Sequence, residues 1–241
     1  VRVLELENPD SAIIFANTRR EVEYVTQFLH NYGYDADEIS GDLSQSAREA
    51  VMDRIRKGEL RLLVATDVAA RGIDISDLSH VFMYDVPQDP EYYIHRAGRT
   101  ARAGKTGVAI TLANYVDEKA LLSIGRKYGI DLEKREIPTE EELSDRVSER
   151  LTETLENRLR AKSRIEKERA TRFIPLAKKL IEEGEPELLA MLLDDVYQQS
   201  LNRPTTMADQ PERQRQQAER PQGEDSGGAG RGRRRGGPRR R

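Results

Sequence analysis

Residues 60–66, "LRLLVAT", decide how this chain is read. After Arg61 the run Leu62, Leu63, Val64, Ala65 is apolar without interruption, too short for a helix. A half-buried strand would alternate apolar with polar residues, whereas a continuous run suits a strand covered on both faces. Upstream, residues 44–57 carry helix-like spacing, with Ser44 where an N-cap belongs and Gly58 where the helix should stop. Three more runs share the strand character: "SAIIFA" (11–16), "SHVFMYDV" (79–86) and "TGVAITLA" (106–113). A helix-like segment at residues 19–30 and one beginning after Pro90 lie between them, and another at 117–128 follows the last. Strands alternating with helices predict an α/β domain over residues 1–137, a parallel sheet with helices on both faces. Ligands of such sheets gather at the carboxyl ends of the strands.

Beyond residue 138 the character changes. Leu143, Val147, Leu151, Leu155 and Leu159 recur every four residues among charged neighbours, one apolar stripe on a long helix. Two shorter helices follow, at residues 175–183 and 186–201, each opening on proline. The last is dense in leucine and needs a second surface, from this chain or from another copy. Residues 138–202 therefore read as an all-α extension and a candidate dimerisation domain. Residues 203–241 have almost no apolar content and are expected to be a disordered tail.

The chain has 241 residues, room for one ordinary domain plus appendages, and a net charge of −3. Seven arginines and no acidic residue lie in positions 226–241. Removing those seven leaves 33 basic against 43 acidic residues, or −10, for the rest. An acidic body with a basic tail points to a polyanionic partner. There is no cysteine, so disulfides and cysteine zinc sites are excluded. The three histidines, His30, His80 and His95, lack metal-ligand spacing. No apolar run reaches the ~18 residues of a membrane span, and no leader pattern opens the chain, so a cytoplasmic protein is expected. Opening at Val1, almost directly on a strand, the sequence reads as a fragment.

"HRAGRTARAGKTG" (95–107) contains Gly104-Lys105-Thr106, which invites a P-loop reading. That pattern places a glycine five residues before Gly104, where Arg99 stands, and runs from a strand into a helix. Here a helix precedes and a strand follows, so the P-loop is rejected. What remains is His95, Arg96, Arg99 and Arg102 among small residues. Guanidiniums make two-point contacts with phosphate oxygens, and small neighbours let several crowd one site.

"YIHRAGRTARAG" (93–104) resembles motif VI of the DEAD-box RNA helicases. "SAIIFANTRREVEYV" resembles their motif IV, "GDLSQSAREAVMDRIRKGE" the Gly and Gln-x-x-Arg segment, and "LLVATDVAARGIDI" motif V, all in family order. His95 is the residue of DEAD-box rather than DEAH-type proteins; Ala97 and Ala101 are conservative departures. The resemblance implies a RecA-like fold and several residue roles. Arg99 and Arg102 match arginine fingers that reach the γ-phosphate of ATP held by the other helicase domain. Asp74 matches the carboxylate on the ribose hydroxyls, with Gly72 in the same loop. His95 and Arg96 match residues that couple the nucleotide site to RNA and to the partner domain. Asn17, Thr18, Gly41, Arg48 and Thr66 match RNA-backbone contacts.

The P-loop lysine and the Asp-Glu-Ala-Asp carboxylates of such enzymes belong to a first RecA-like domain, and neither motif occurs in this sequence. ATP and Mg²⁺ are thus expected to be held mainly by that domain, and this chain alone to hydrolyse ATP negligibly. RNA, the first domain and a second copy are the expected partners; no metal site is assigned. The alternative is a stand-alone RNA-binding and dimerisation module without ATPase activity. A DNA-directed member of the wider helicase superfamily is a further rival.

Overall fold

A computed structural model describes residues 1–41, 43–71, 78–101 and 106–201. Five four-residue strands form one sheet: β1 (Ala12–Phe15), β2 (Ala36–Ile39), β3 (Leu62–Ala65), β4 (His80–Met83) and β5 (Val108–Thr111). Their order is β2-β3-β1-β4-β5, and every neighbouring pair is parallel. The register aligns Ile39, Ala65, Phe15, Met83 and Thr111 in one row across the carboxyl ends.

Successive side chains of a strand point to opposite faces. Ile13, Phe15, Leu63, Ala65, Val81 and Met83 therefore share one face. Against it pack α3 (Gln45–Arg56), α5 (Pro90–Ala97) and α6 (Glu118–Tyr128) through Met52, Tyr93 and Ile124. Ala12, Ile14, Leu62, Val64 and Phe82 take the other face. There they meet Leu4 of α1 (Arg2–Glu7), Val22, Val25 and Leu29 of α2 (Arg19–Asn31), and Tyr197 and Leu201 of α10 (Pro186–Leu201). Full burial of each large apolar side chain contributes about 1.5–3 kcal/mol, and burial on both faces is why the strand runs read as continuous. The expected fold class is what the structure has: a parallel sheet covered on both faces, followed by a helical segment. The tail, residues 203–241, lies outside the described residues.

Local chemistry sets the helix ends. Thr18 opens α2 with a reciprocal capping box to Glu21, and Ser44 caps α3 through the Ala47 amide, as its sequence position suggested. After α3 the chain turns through Gly58 at φ +69°, a conformation open to glycine without strain. The long α7 (Glu140–Ala161) starts on a second capping box, Thr139 with Glu142. It stops at Lys162, because Ser163 and Glu166 form a third box that opens α8 (Arg164–Thr171). α9 (Ile174–Glu182) and α10 follow, each with proline in its first turn.

The extension is tied to the sheet. Leu143 is buried, and Val147 and Leu151 pack on the second face, whereas Leu155 and Leu159 of the same stripe are exposed. Arg150 of α7 donates to the Glu5 and Leu6 carbonyl oxygens at the end of α1, at 2.8 and 3.2 Å. Arg61, at the start of β3, donates to the Leu201 carbonyl oxygen at 2.6 Å and to Asn8 Oδ1 at 3.1 Å. It also bonds the Pro9 carbonyl oxygen, so α1, β3 and α10 share one guanidinium.

Candidate nucleotide cleft and nucleic-acid face

Parallel strands leave the sheet all at one end, so the loops that follow them converge there. Asn17 and Thr18 follow β1, Gly41 and Arg48 follow β2, and Thr66 follows β3. These strands are consecutive in the sheet order β2-β3-β1. At a strand spacing of about 4.8 Å, the three loops form a row roughly 10 Å long. Thr66 is the buried N-cap of α4 (Asp67–Ala70), its hydroxyl accepting from the Ala69 amide at 3.3 Å. Gly41 is exposed, and the space where a Cβ would stand is open. On α3, the Nε of Arg48 is buried and has no hydrogen-bond partner among the described residues. A guanidinium edge left unsatisfied inside a structure favours an incoming anion.

Beside this row lies a cleft of about 120 Å³, lined by Phe15, Asp67, Ala70, Arg71, Tyr92, His95, Arg96 and Arg99. Its floor is Arg96, 1% exposed. Nε and Nη2 of Arg96 donate to the two Asp67 carboxylate oxygens at 2.8 and 2.7 Å. Nη2 also donates to Asn17 Oδ1 at 2.8 Å, and Nη1 to the Asp85 carbonyl oxygen at 2.9 Å. The guanidinium carbon sits 5.3 Å from the centre of the Phe15 ring. One side chain thus joins the ends of β1, β3 and β4 to the last turn of α5. A charge taken out of water needs such complete pairing, since removing one partner leaves an uncompensated ion.

Asn17 is held at both ends of its amide. Oδ1 faces Arg96 and Nδ2 donates to the Val86 carbonyl oxygen at 3.1 Å, while its backbone amide donates to Asp85 Oδ2 at 3.2 Å. Burial raises the Asp85 carboxyl above its ordinary value, and the Asn17 amide opposes that shift. Thr18 is occupied in its capping box. His95, by contrast, is largely exposed at the mouth of the cleft, its Nε2 3.4 Å from Glu91 Oε1 one turn earlier. Arg99 lines the same cleft in the turn after α5. Gly107 lets that turn pack on β5: a Cβ there would collide with the Thr100 side chain and lie 2.8 Å from the Ala101 amide nitrogen. Arg102, Gly72 and Asp74 lie outside the described residues.

The helicase conserved C-terminal domain family matches residues 1–104, the span that builds the row and the cleft. This chain belongs to the DEAD-box RNA helicases, and carries their C-terminal helicase domain. It is 38% identical over 184 residues to the DEAD-box ATP-dependent RNA helicase CshA of Bacillus cereus, covering 76% of this chain and 34% of that protein. To the RNA helicase CrhR of Synechocystis it is 38% identical over 199 residues, covering 82% of this chain and 39% of CrhR. The chain therefore spans about a third of the length of these relatives. Among solved structures, that of the Escherichia coli DEAD-box protein SrmB bound to regulator of ribonuclease activity A is similar at 36% identity. Its TM-score is 0.51, over 59% of this chain and 85% of that one.

The helicase domain also holds residues that sequence reasoning passed over: Asp67, Asp85, Phe15, Arg71 and Tyr92. Asp67 directly after a strand reads as an ordinary helix-capping carboxylate, and only the fold shows that it faces Arg96. The residues present suit a polyphosphate: guanidiniums of Arg99 and Arg71 and the imidazole of His95 line the open side of the cleft, with the Asp67 carboxylate neutralised by Arg96 beneath. Among the described residues, no group of three or more His, Cys, Asp or Glu is placed to hold a metal ion.

Proposed function

We propose that this chain is the working second half of an ATP-dependent RNA helicase, acting in the cytoplasm on short RNA duplexes. The observation that carries the reading is the cleft at the carboxyl ends of the strands, where Arg99 and His95 stand over the fully paired Arg96. A first RecA-like domain holds ATP and Mg²⁺, and its approach brings Arg99 and Arg102 to the γ-phosphate. There the two guanidiniums stabilise charge spread over the phosphoryl oxygens; such a finger is worth about 10³–10⁵ in rate in GTPases. Asp74 accepts from the ribose hydroxyls, with Gly72 beside it. His95, exposed at the mouth of the cleft, and Arg96, bonded to Asn17, link the nucleotide side to the RNA side.

On the RNA side, Arg48 and Thr66 hold phosphates and the loop at Gly41 offers backbone amides, while Thr18, its own amide held by Glu21, shapes the loop after β1. Asn17, engaged internally, acts by fixing that loop. Contacts of this kind read backbone and 2′-hydroxyls, so little sequence preference is expected. The arginine-rich tail adds salt-dependent, nonspecific affinity for RNA. A second copy packs on the apolar faces of α8, α9 and α10. That part of the reading is supported by the exposure of Ile165, Phe173, Ile181, Met191 and Leu192, more apolar surface than a lone helical segment ordinarily leaves in water.

The test is strand displacement by a protein containing both helicase domains, with a short RNA duplex and the matching DNA duplex. The reading expects the RNA duplex to separate only with ATP and the DNA duplex to stay paired. Displacement that ignores ATP, or that prefers DNA, contradicts it.

A further inference from the structure

Among the described residues, only Asn8 and Ala101 hold a left-handed backbone without being glycine, at φ +45° and +57°. Asn8 closes α1 as its C-cap, a position that asparagine commonly fills in this conformation. Ala101 has no side-chain amide to ease the geometry, and a Cβ crowds the neighbouring carbonyl oxygen there. Its methyl group is exposed, so packing does not offset the cost. A residue kept in a conformation it resists, with no burial to gain, is kept there by the backbone on either side, and such strain gathers at functional sites.

That backbone is pinned at several points. After α5 the amides of Arg99 and Thr100 donate to the Arg96 and Ala97 carbonyl oxygens at 3.1 and 3.2 Å, which winds one further tight turn. The Arg99 carbonyl oxygen accepts from the Leu78 amide at 3.4 Å. Thr100, 5% exposed, donates its hydroxyl to the Leu78 carbonyl oxygen, and the two residues form an isolated parallel bridge. From the β5 side, Gly107 approaches so closely that a Cβ on it would lie 2.8 Å from the Ala101 nitrogen. A left-handed residue ends helical winding. The turn that ends at Ala101 contains Arg99, which lines the cleft, and Arg102 is the next residue of the chain.

We propose that Ala101 is a positioning residue of the nucleotide cleft: its left-handed backbone, locked between the Thr100 bridge and Gly107, ends the turn at the point that presents Arg99. The requirement falls on the backbone conformation at this position and not on the methyl group. The inference rests on the assignment of Arg99 to the γ-phosphate.

The test compares Ala101→Gly, Ala101→Asn and Ala101→Thr. Glycine and asparagine accept a left-handed backbone, whereas threonine, matched to asparagine in size and polarity, is β-branched and does not. In a two-domain protein, RNA-stimulated ATP turnover should keep its kcat in the Gly and Asn variants. The Thr variant should lose about 10–100-fold in kcat, the cost of a misplaced catalytic group, with KM for ATP changed far less. In this chain, Ala101→Gly should raise the melting temperature by about 2–4 °C, the shift expected when one left-handed residue is relieved in a protein of this size. That arm stands whether or not the threonine variant folds. A residue that only stabilised the turn would move kcat and melting temperature together through the series. A threonine variant with unaltered kcat, an asparagine variant as impaired as threonine, or a glycine variant that melts lower each overturns the proposal. Arg99→Ala, assayed alongside, separates the two levels. Full turnover there removes the finger reading and this inference with it, whereas lost turnover there beside an active Ala101→Thr removes this inference alone.

Discussion

Arg96 and Asp67 meet in a two-point ion pair, Nε to Oδ1 at 2.8 Å and Nη2 to Oδ2 at 2.7 Å, with the arginine side chain almost wholly removed from water. The pair fixes the end of α5 against the start of α4, and through Asn17 it also fixes the loop after β1. Arg96→Ala strands the Asp67 carboxylate, Asn17 Oδ1 and the Asp85 carbonyl oxygen together. Breaking a buried pair from one side costs about 3–5 kcal/mol. Urea unfolding of the chain should show a loss of that size, and a loss below about 1 kcal/mol would mean that the pair is decorative. Arg96→Lys should recover little of it, because an ammonium cannot reproduce the planar two-point contact.

Arg61 is the corresponding anchor for the extension. Burial lowers its pKa from the ordinary arginine value, but its carbonyl and amide partners keep it satisfied. Arg61→Leu should cost about 2–4 kcal/mol, through buried acceptors left without donors. Amides of the last turn of α10 should then exchange faster with solvent. Unchanged exchange at Tyr197–Leu201 would show that apolar packing alone holds the helix.

His80 gives the stability a pH dependence. Burial lowers its pKa below the ordinary 6.5, against the opposing pull of the Glu7 carboxylate 3.5 Å from its Nε2. Because the unfolded chain takes up that proton more readily, stability rises with pH until the ordinary value is passed. The contribution is fully present above about pH 6.5 and is lost as pH falls below it. Between pH 7.5 and pH 6, the unfolding free energy should drop less in His80→Gln than in the unaltered chain. Identical drops would assign the dependence to other groups.

The exposed faces of α9 and α10 lead to a test of assembly. Met191 and Leu192 point into solvent on a helix whose opposite end is buried. Sedimentation of the unaltered chain should show a dimer, and Leu192→Asp, which places a charge on the apolar face, should yield monomers without loss of helix content. A concentration-independent monomer in both would remove the second copy.

How much of this was legible in the sequence follows from burial. β1, β3, β4 and β5 stood out because their residues are covered on both sides or are rich in β-branched types. β2 did not, since "ADEI" places Asp37 and Glu38 in an edge strand paired only to β3, where Arg54 answers Asp37 across the surface. α8 escaped notice although Ser163-Arg164-Ile165-Glu166 has the capping-box pattern, because the preceding stripe looked continuous. The arginine cluster was visible as a pattern, whereas the partner of Arg96 was not. Asp67 is 29 residues away, and only the parallel register of β1, β3 and β4 brings the two together.

The central claim is that Arg99 acts on a nucleotide held by another domain. The direct measurement is RNA-stimulated ATP turnover by a two-domain protein carrying Arg99→Ala, alongside urea unfolding of the same substitution in this chain. The account predicts a fall in kcat of about 10³ or more, with KM for ATP changed far less and with the substituted chain still folded in the unfolding test. A kcat within a few-fold of the unaltered protein would contradict it.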